Sequence, residues 1–416
     1  MDRLYLIGSV IGLLLTGNAW WPLRRPAVLG ALSFFAGWLT AELPLHHIAF
    51  QAALTWWFHG QGAFETPVGE VGLALAGVSW VGLALLLRPA AETRRLIVEA
   101  VDEAFEHPGE RLVPRRDLGR LAMPFRFGDR AVSRTRDIVY AEGGGPRMRL
   151  DVYRPRGDAA GALRPVLLHI HGGGWVIGSK DTQGLPLMRA MAARGWVAVN
   201  ANYRLSPRAT FPDHLIDVKR ATAWVRSHIE RYGGDPSSIV IAGLSAGAHL
   251  ASLAALTPNR PELQPGFETA DTRLDGCVAM YGVYDVLDRD RDWPHRAMTR
   301  LMAKLVIKAR PDQAPALWKL ASPLDQVGPH APPFLIVHGD RDTMVPVGQA
   351  RRFRDALRRA APEVPVAYAE LPGAQHAFDV FYSLRTNLAL DGVAAFLERV
   401  RVRRRTVGSG EELGGT

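Results

Sequence analysis

The pattern of apolar and charged positions divides the chain near residue 88. Before it, three stretches carry no formal charge: Leu4 to Trp21, Pro26 to Ala41, and Val71 to Leu87. Arg24 and Arg25 separate the first two, and Arg88 ends the third. A helix crosses a bilayer with about 20 predominantly apolar residues and about 17 at the lower limit. The first and third stretches reach that limit, and the second does so if Glu42 sits at the interface. None shows the polar face of a surface helix. Trp20, Trp21, Trp38, Trp56 and Trp57 lie near the ends, where interfacial tryptophans gather. The pattern therefore predicts a three-span, multi-pass anchor over residues 1–88. A cleaved signal peptide over the first stretch, or helices buried in a soluble protein, are the competing readings. The segment Leu45 to Phe58 is short, and a span there would split the arginine clusters between two faces. It is expected at the interface. With three spans, Arg24 and Arg25 fall on the same side as Arg88, Arg94 and Arg95, while residues 45–68 hold no Lys or Arg. That asymmetry puts the rest of the chain in the cytoplasm.

Residues 89–133 are polar and helix-like at first, and read as a linker and cap. From about Arg134 the period changes, and β-rich runs alternate with helical ones, the pattern of a parallel sheet wrapped by helices. Strands are expected at Asp137–Tyr140, Leu150–Tyr153, Val166–Ile170, Trp196–Asn200, Ile239–Ala242, Gly276–Tyr281, Phe334–His338 and Val366–Glu370. The first two flank the turn Gly143 to Pro146 as a hairpin. Helices are expected at Asp181–Arg194, His214–Tyr232, Ala246–Leu256, Pro346–Ala360 and Ala377–Arg401. Residues 285–326 interrupt the alternation near the site. The catalytic domain thus spans 134–405, and 406–416 read as a disordered tail.

Composition removes some classes. The formal net charge is +9, nearly all from arginine, but no helix-turn-helix, zinc finger or aromatic-interleaved basic motif accompanies it, so nucleic acid is not an expected partner. Cys277 is the single cysteine, which excludes a disulfide within the chain and a cysteine metal cluster.

The chemistry concentrates in three places. Gly243-Leu244-Ser245-Ala246-Gly247 follows an apolar strand and opens a helix, the strand–turn–helix setting that G-x-S-x-G needs to expose a nucleophilic serine. His171-Gly172-Gly173-Gly174-Trp175 follows the strand Val166–Ile170; its glycines can present bare N–H groups to a carbonyl oxygen as it becomes tetrahedral and negative. It fits neither phosphate-binding glycine pattern. A serine nucleophile needs a base, and the base needs an orienting acid. His376 lies just past the last strand, where that base belongs. His249, one turn into the elbow helix, is expected to be packed there, and His338 to be a core or turn residue. Asp340 and Asp342 compete for the acid in His338-Gly339-Asp340-Arg341-Asp342-Thr343-Met344-Val345-Pro346.

These residues resemble the hormone-sensitive-lipase-like α/β-hydrolases. The resemblance covers residues 134–400 and is carried by His171–Gly174, Asn202–Pro207 with Phe211-Pro212, Tyr232–Pro236, the elbow, the acid loop and Gly373–Phe378. It implies an α/β-hydrolase fold, with a mostly parallel eight-stranded sheet flanked by helices, joined to the N-terminal transmembrane helices. It favours Asp342 over Asp340, from the H-G-x-x-D-x-x-V-P spacing. The site is then Ser245, Asp342 and His376, with an oxyanion hole at Gly172, Gly173, Gly174 and Ala246, the donors being the N–H groups of Gly173, Gly174 and Ala246. Tyr203 and Arg204 brace that loop; Trp175 lines an acyl pocket or is buried. The implied function is a carboxylic-ester hydrolase, esterase or lipase, like the membrane-associated esterases of actinobacteria. It takes a small-molecule or lipid ester, touches membrane lipids through its first region, and uses no metal or cofactor. Leu244 departs from the Asp or Glu common there, which leaves the narrower subgroup open. An amidase-type hydrolase such as an arylformamidase, or an inactive membrane-tethered binding protein, are the alternatives.

Overall fold

Residues 1–23, 27–106, 118–157 and 162–413 are described by the computed structural model. The chain from residue 132 on is built around one eight-stranded sheet in the order β1-β2-β4-β3-β5-β6-β7-β8. The strands are β1 Val132–Val139, β2 Arg149–Pro155, β3 Arg164–Ile170, β4 Val197–Ala201, β5 Gly234–Leu244, β6 Gly276–Met280, β7 Phe334–Gly339 and β8 Val366–Leu371. All eight overlap the runs read from the sequence. β2 pairs antiparallel with both β1 and β4, and every later pairing is parallel. Strands buried on both faces read as continuous apolar runs. Here Val166, Leu168 and Ile170 enter one apolar cluster while Leu167 enters the cluster on the other face.

The helices that matter to the site are α1 Asp2–Trp20, α2 Ala27–Glu42, α3 Pro44–Gly60, α4 Pro67–Leu85, α5 Thr93–Ala104, α6 Leu185–Ala192, α7 Asp213–His228, α8 Ala246–Leu256, α9 Gly348–Ala360 and α10 Leu384–Leu413. Three differ from expectation. α5 is not a cap over the site: Ile97, Ala100 and Val101 share an apolar cluster with Leu390, Val393 and Leu397 of α10. Its apolar stripe closes the helical layer on that face of the sheet. α10 runs on to Leu413, through most of the segment expected to be disordered, because the arginine-rich run before it is good helix-forming sequence. The third difference concerns the spans.

α1 and α4 lie side by side and parallel. The Thr66 hydroxyl donates to Asp2 (2.8 Å), Thr16 and Ser79 share a hydrogen bond at 2.8 Å, and Trp20 Nε1 donates to the Gly82 carbonyl at 3.0 Å. Their contact is made of small residues; a Cβ on Gly72 would lie 2.9 Å from the Tyr5 ring, and one on Gly82 2.7 Å from Thr16. α3 runs antiparallel to them. Near its start His46 touches the Ala122 carbonyl, and toward its end Thr55 meets Tyr5. α2 packs on the end of α1, where Asn18 Nδ2 donates to the Ser33 carbonyl at 2.8 Å, and lies against the sheet domain, where Glu42 is buried on Arg385. Leu45–Phe58 therefore joins α1 and α4 in the bundle, while the second uncharged stretch, expected as a span, is packed on the sheet domain. A buried carboxylate requires a partner, and Glu42 finds it in Arg385 of α10. Arg24 and Arg25 lie outside the described residues. Within Pro67–Ala104 there is a segment long and apolar enough to cross a membrane.

Candidate active site

The strand β5 ends at Leu244 and α8 begins at Ala246, so Ser245 alone makes the turn. Its backbone sits at φ 54°, ψ −120°, a strained conformation for a residue with a Cβ. Such a turn leaves no room beside it. A Cβ on Gly243 would lie 2.2 Å from the Gly247 carbonyl oxygen, and one on Gly247 2.1 Å from that of Ile170. The two glycines of G-x-S-x-G are thus required by contact. The Ser245 N–H is held by the Met280 carbonyl at 3.0 Å, which fixes the turn to β6.

Ser245, His376 and Asp342 are brought together from three strand ends. Ser245 Oγ lies 2.9 Å from His376 Nε2, and His376 Nδ1 lies 2.6 Å from Asp342 Oδ2. With Nδ1–H donating to the carboxylate, Nε2 is left to accept the serine proton. Asp342 Oδ1 accepts from the N–H groups of Met344 (2.8 Å) and Val345 (2.7 Å). Burial opposes ionisation of Asp342, but His376 and His338 outweigh it and hold the carboxyl below its usual range. Asp340 has another task, accepting from the Gly373 N–H at 2.7 Å.

Two residues here escaped the sequence reading. His338, expected to be a core or turn residue, places Nε2 2.9 Å from the Val345 carbonyl and 3.2 Å from Asp342 Oδ2, so its N–H supports the acid. Gln375 Oε1 accepts from the N–H groups of Thr343 (2.8 Å) and His376 (3.0 Å), tying the acid loop to the histidine loop. The i, i+4 spacing of His338 and Asp342 was the available signal for the first. Nothing in the sequence marked Gln375 beyond its place next to His376.

The glycine loop faces the serine. A Cβ on Gly172 would lie 3.1 Å from that of Ser245 and 2.7 Å from the Leu244 carbonyl. Gly173 (φ 111°) and Gly174 (φ 59°) take conformations that suit glycine. The Gly172 N–H is occupied by Gln183 Oε1 at 2.7 Å. Gly172 therefore serves by its missing side chain, a correction to its place in the expected oxyanion hole. Among the described residues the N–H groups of Gly173, Gly174 and Ala246 have no protein acceptor. Tyr203 braces the loop, its hydroxyl donating to the His171 carbonyl (3.1 Å) and its ring stacked on His171. Arg204 is paired with Asp217. Trp175 is buried, with Nε1 donating to His249 at 3.1 Å, and so lies in the core. His249 is packed as expected, its Nε2 on the Ala321 carbonyl.

Behind His376, the Tyr281 ring sits 4.7 Å away, edge to face, and its hydroxyl donates to buried Asp379. Burial raises the Asp379 carboxyl to about 6, against the opposing effect of the Tyr281 hydrogen bond. A group raised in the folded state keeps a proton that the unfolded chain releases, so stability falls as pH climbs from about 4 to about 6. Asp379→Asn keeps an acceptor for Tyr281 and cannot ionise. Its melting temperature should lose less over that window than the wild type's, a divergence worth roughly 3 kcal/mol at 1.36 kcal/mol per unit. Parallel melting curves from pH 4 to 7 would show that Asp379 is not the group responsible.

A strained serine at a strand–helix turn, in a mostly parallel sheet, defines an α/β-hydrolase. The BD-FAE domain family matches residues 150–357. The probable carboxylic ester hydrolase LipM of Mycobacterium tuberculosis is 41% identical over 409 residues, covering 95% of this chain and 93% of that protein. Esterase LipQ of the same organism is 40% identical over 381 residues, 90% of this chain and 86% of that protein. At such coverage the likeness takes in N-terminal helices as well as the sheet. Among solved structures, esterase 2 of Thermogutta terrifontis, phosphonylated by sarin, is 25% identical with a TM-score of 0.52, over 65% of this chain and 93% of that one. The chain belongs to the hormone-sensitive-lipase-like α/β-hydrolases and, with these esterases, is a carboxylesterase.

Proposed function

We propose that the chain hydrolyses carboxylic esters through an acyl-enzyme on Ser245. His376 takes the serine proton as Oγ bonds to the ester carbonyl carbon. The oxygen that becomes negative is met by the N–H groups of Gly173, Gly174 and Ala246. His376 then protonates the departing alcohol as its C–O bond breaks. Water entering where the alcohol left gives a proton to His376 as it bonds to the acyl carbon, and His376 returns that proton to Ser245 Oγ as its bond to the acyl carbon breaks and the acid leaves. Asp342 keeps Nδ1–H directed at itself and stabilises the imidazolium. The observation that carries this reading is the continuous chain of hydrogen bonds from Ser245 Oγ to Asp342. The sarin adduct named for the Thermogutta terrifontis esterase is in keeping with an activated nucleophile in this fold. The test is a panel of p-nitrophenyl esters of increasing chain length beside amide analogues, with fluorophosphonate labelling. Faster amide than ester turnover would favour an arylformamidase-type activity, and a folded protein that does not label would favour an inactive binding scaffold.

The same reading places the chain in a membrane as a multi-pass protein, with α1, α3 and α4 as the spans. Support comes from how the bundle is built. Small and weakly polar residues (Ser9, Gly12, Thr16, Gly72, Ser79) face inward, while Leu4, Ile7, Leu14, Phe50, Trp56, Val78 and Val81 are exposed. That inversion of a soluble core suits packing in lipid, where small residues let helices approach. Three spans keep Arg88 on the hydrolase side and put that domain in the cytoplasm. The full-length chain should remain in the membrane fraction after a carbonate wash, since apolar burial rather than charge holds it. Release into the supernatant would overturn the membrane reading, and an active external reporter at the C-terminus would overturn the orientation.

A further inference from the structure

α2 grips both loops that carry the base and the acid. On the histidine loop, Trp38 Nε1 donates to the Ala377 carbonyl at 2.8 Å, and the Trp38 ring packs 5.2 Å from that of Phe381. Phe34 stacks on Trp38 and sets its ring 6.2 Å from His376, edge to face. Ala377, the residue after the base, has φ 57°, a conformation that a residue with a Cβ keeps only where its surroundings impose it. The Trp38 N–H on its carbonyl is one such imposition. The end of α2 is pinned where that loop enters α10, with buried Glu42 accepting from Arg385 Nε at 2.9 Å and from the Ser383 hydroxyl at 3.1 Å. On the acid loop both neighbours of Asp342 are held. Thr343 Oγ1 donates to the Gly30 carbonyl of α2 at 3.3 Å, and Arg341 donates to the Ala19 carbonyl of α1 at 2.9 Å. Along the rest of α2, Leu29, Leu32, Phe35 and Leu39 are exposed.

From these contacts we infer that Trp38, Phe34 and Glu42 are positioning residues for His376 and Asp342, so that the N-terminal helices complete the catalytic centre and are not a detachable anchor. The inference rests on the reading of His376 as base and Asp342 as acid. The physical reason is tolerance. A catalytic constellation must be held within about 0.5 Å, and a misplacement of about 1 Å costs on the order of 100-fold in rate. Without α1 and α2, Ala377 and Thr343 lose the hydrogen bonds that α2 provides, and Arg341 loses its acceptor on α1.

The experiment uses the full-length chain in one detergent, with p-nitrophenyl acetate as the probe. Trp38→Ala should lower kcat at least tenfold while KM stays within about threefold. Trp38→Phe keeps the ring contacts and loses only the N–H, so its kcat should fall between wild type and Trp38→Ala. Trp57→Ala, on the exposed side of α3, should match wild type. Should Trp38→Ala fail to fold, Trp38→Phe carries the same test with a smaller expected drop of about threefold. A kcat within twofold of wild type for folded Trp38→Ala, or a loss that falls on KM with kcat unchanged, overturns the positioning role. Fluorophosphonate labelling separates the two failures. If wild type labels and Ser245→Ala does not, an unaffected Trp38 variant overturns only the role of α2; if wild type does not label, the triad reading falls and this inference with it.

Discussion

Replacing Ser245 with alanine is expected to lower esterase kcat by at least ~10³-fold in a chain that still folds. Alanine carries the same Cβ through the φ 54° turn, so the elbow keeps its shape and its bond to Met280. What disappears is the covalent route. The remaining rate would come from oxyanion stabilisation and binding alone, which is why removing one member of such a unit costs nearly as much as removing all. Initial rates on a short p-nitrophenyl ester, with circular dichroism as the check on folding, measure it. Activity above a tenth of wild type would mean that another group does the chemistry.

The acid loop gives the second large effect. Asp342→Asn should cost ~10³- to 10⁴-fold in kcat, because an amide can present N–H to His376 and favour the wrong tautomer. Asp340→Asn should cost less than tenfold. Asp340 accepts the Gly373 N–H and does not meet His376, and an amide oxygen can accept that N–H as well. The pair of variants is informative because the two carboxylates are two residues apart and only one meets the histidine. If Asp340→Asn were the more damaging, the orienting acid would have been misassigned. Asp342 also links activity to acid stability. Its carboxyl is held below the usual range, so the stability it confers is present above about pH 4 and is lost as pH falls through its lowered folded value.

The sequence by itself determined the sheet and the chemistry on its strand ends. A parallel strand buried on both faces must be apolar throughout, and a helix crossing must follow it, so β3 to β8 are written locally. The elbow is equally local, because the clashes that demand Gly243 and Gly247 come from a turn of a few residues and the strand beside it. His376 is marked by its place after the last strand, and the resemblance favours Asp342 over Asp340 from the H-G-x-x-D-x-x-V-P spacing.

Tertiary structure decided what depends on contacts between distant segments. Gly172 is grouped with the oxyanion hole by its place in the glycine run, and only the folded chain shows Gln183 on its N–H. His338 looked inert until the loop folded Asp342 back onto it. The N-terminal region shows this most clearly. Ala27–Glu42 is uncharged enough to pass for a span, and Leu45–Phe58 looks too short for one, because hydropathy measures how much a helix would gain from lipid and says nothing of what else could cover it. α2 is covered on one side by the loops after β7 and β8, through Trp38, Phe34 and a Glu42 that pairs more than 300 residues along the chain. No local pattern encodes that pairing; it exists only once the sheet has brought residues 341–385 to the end of the bundle.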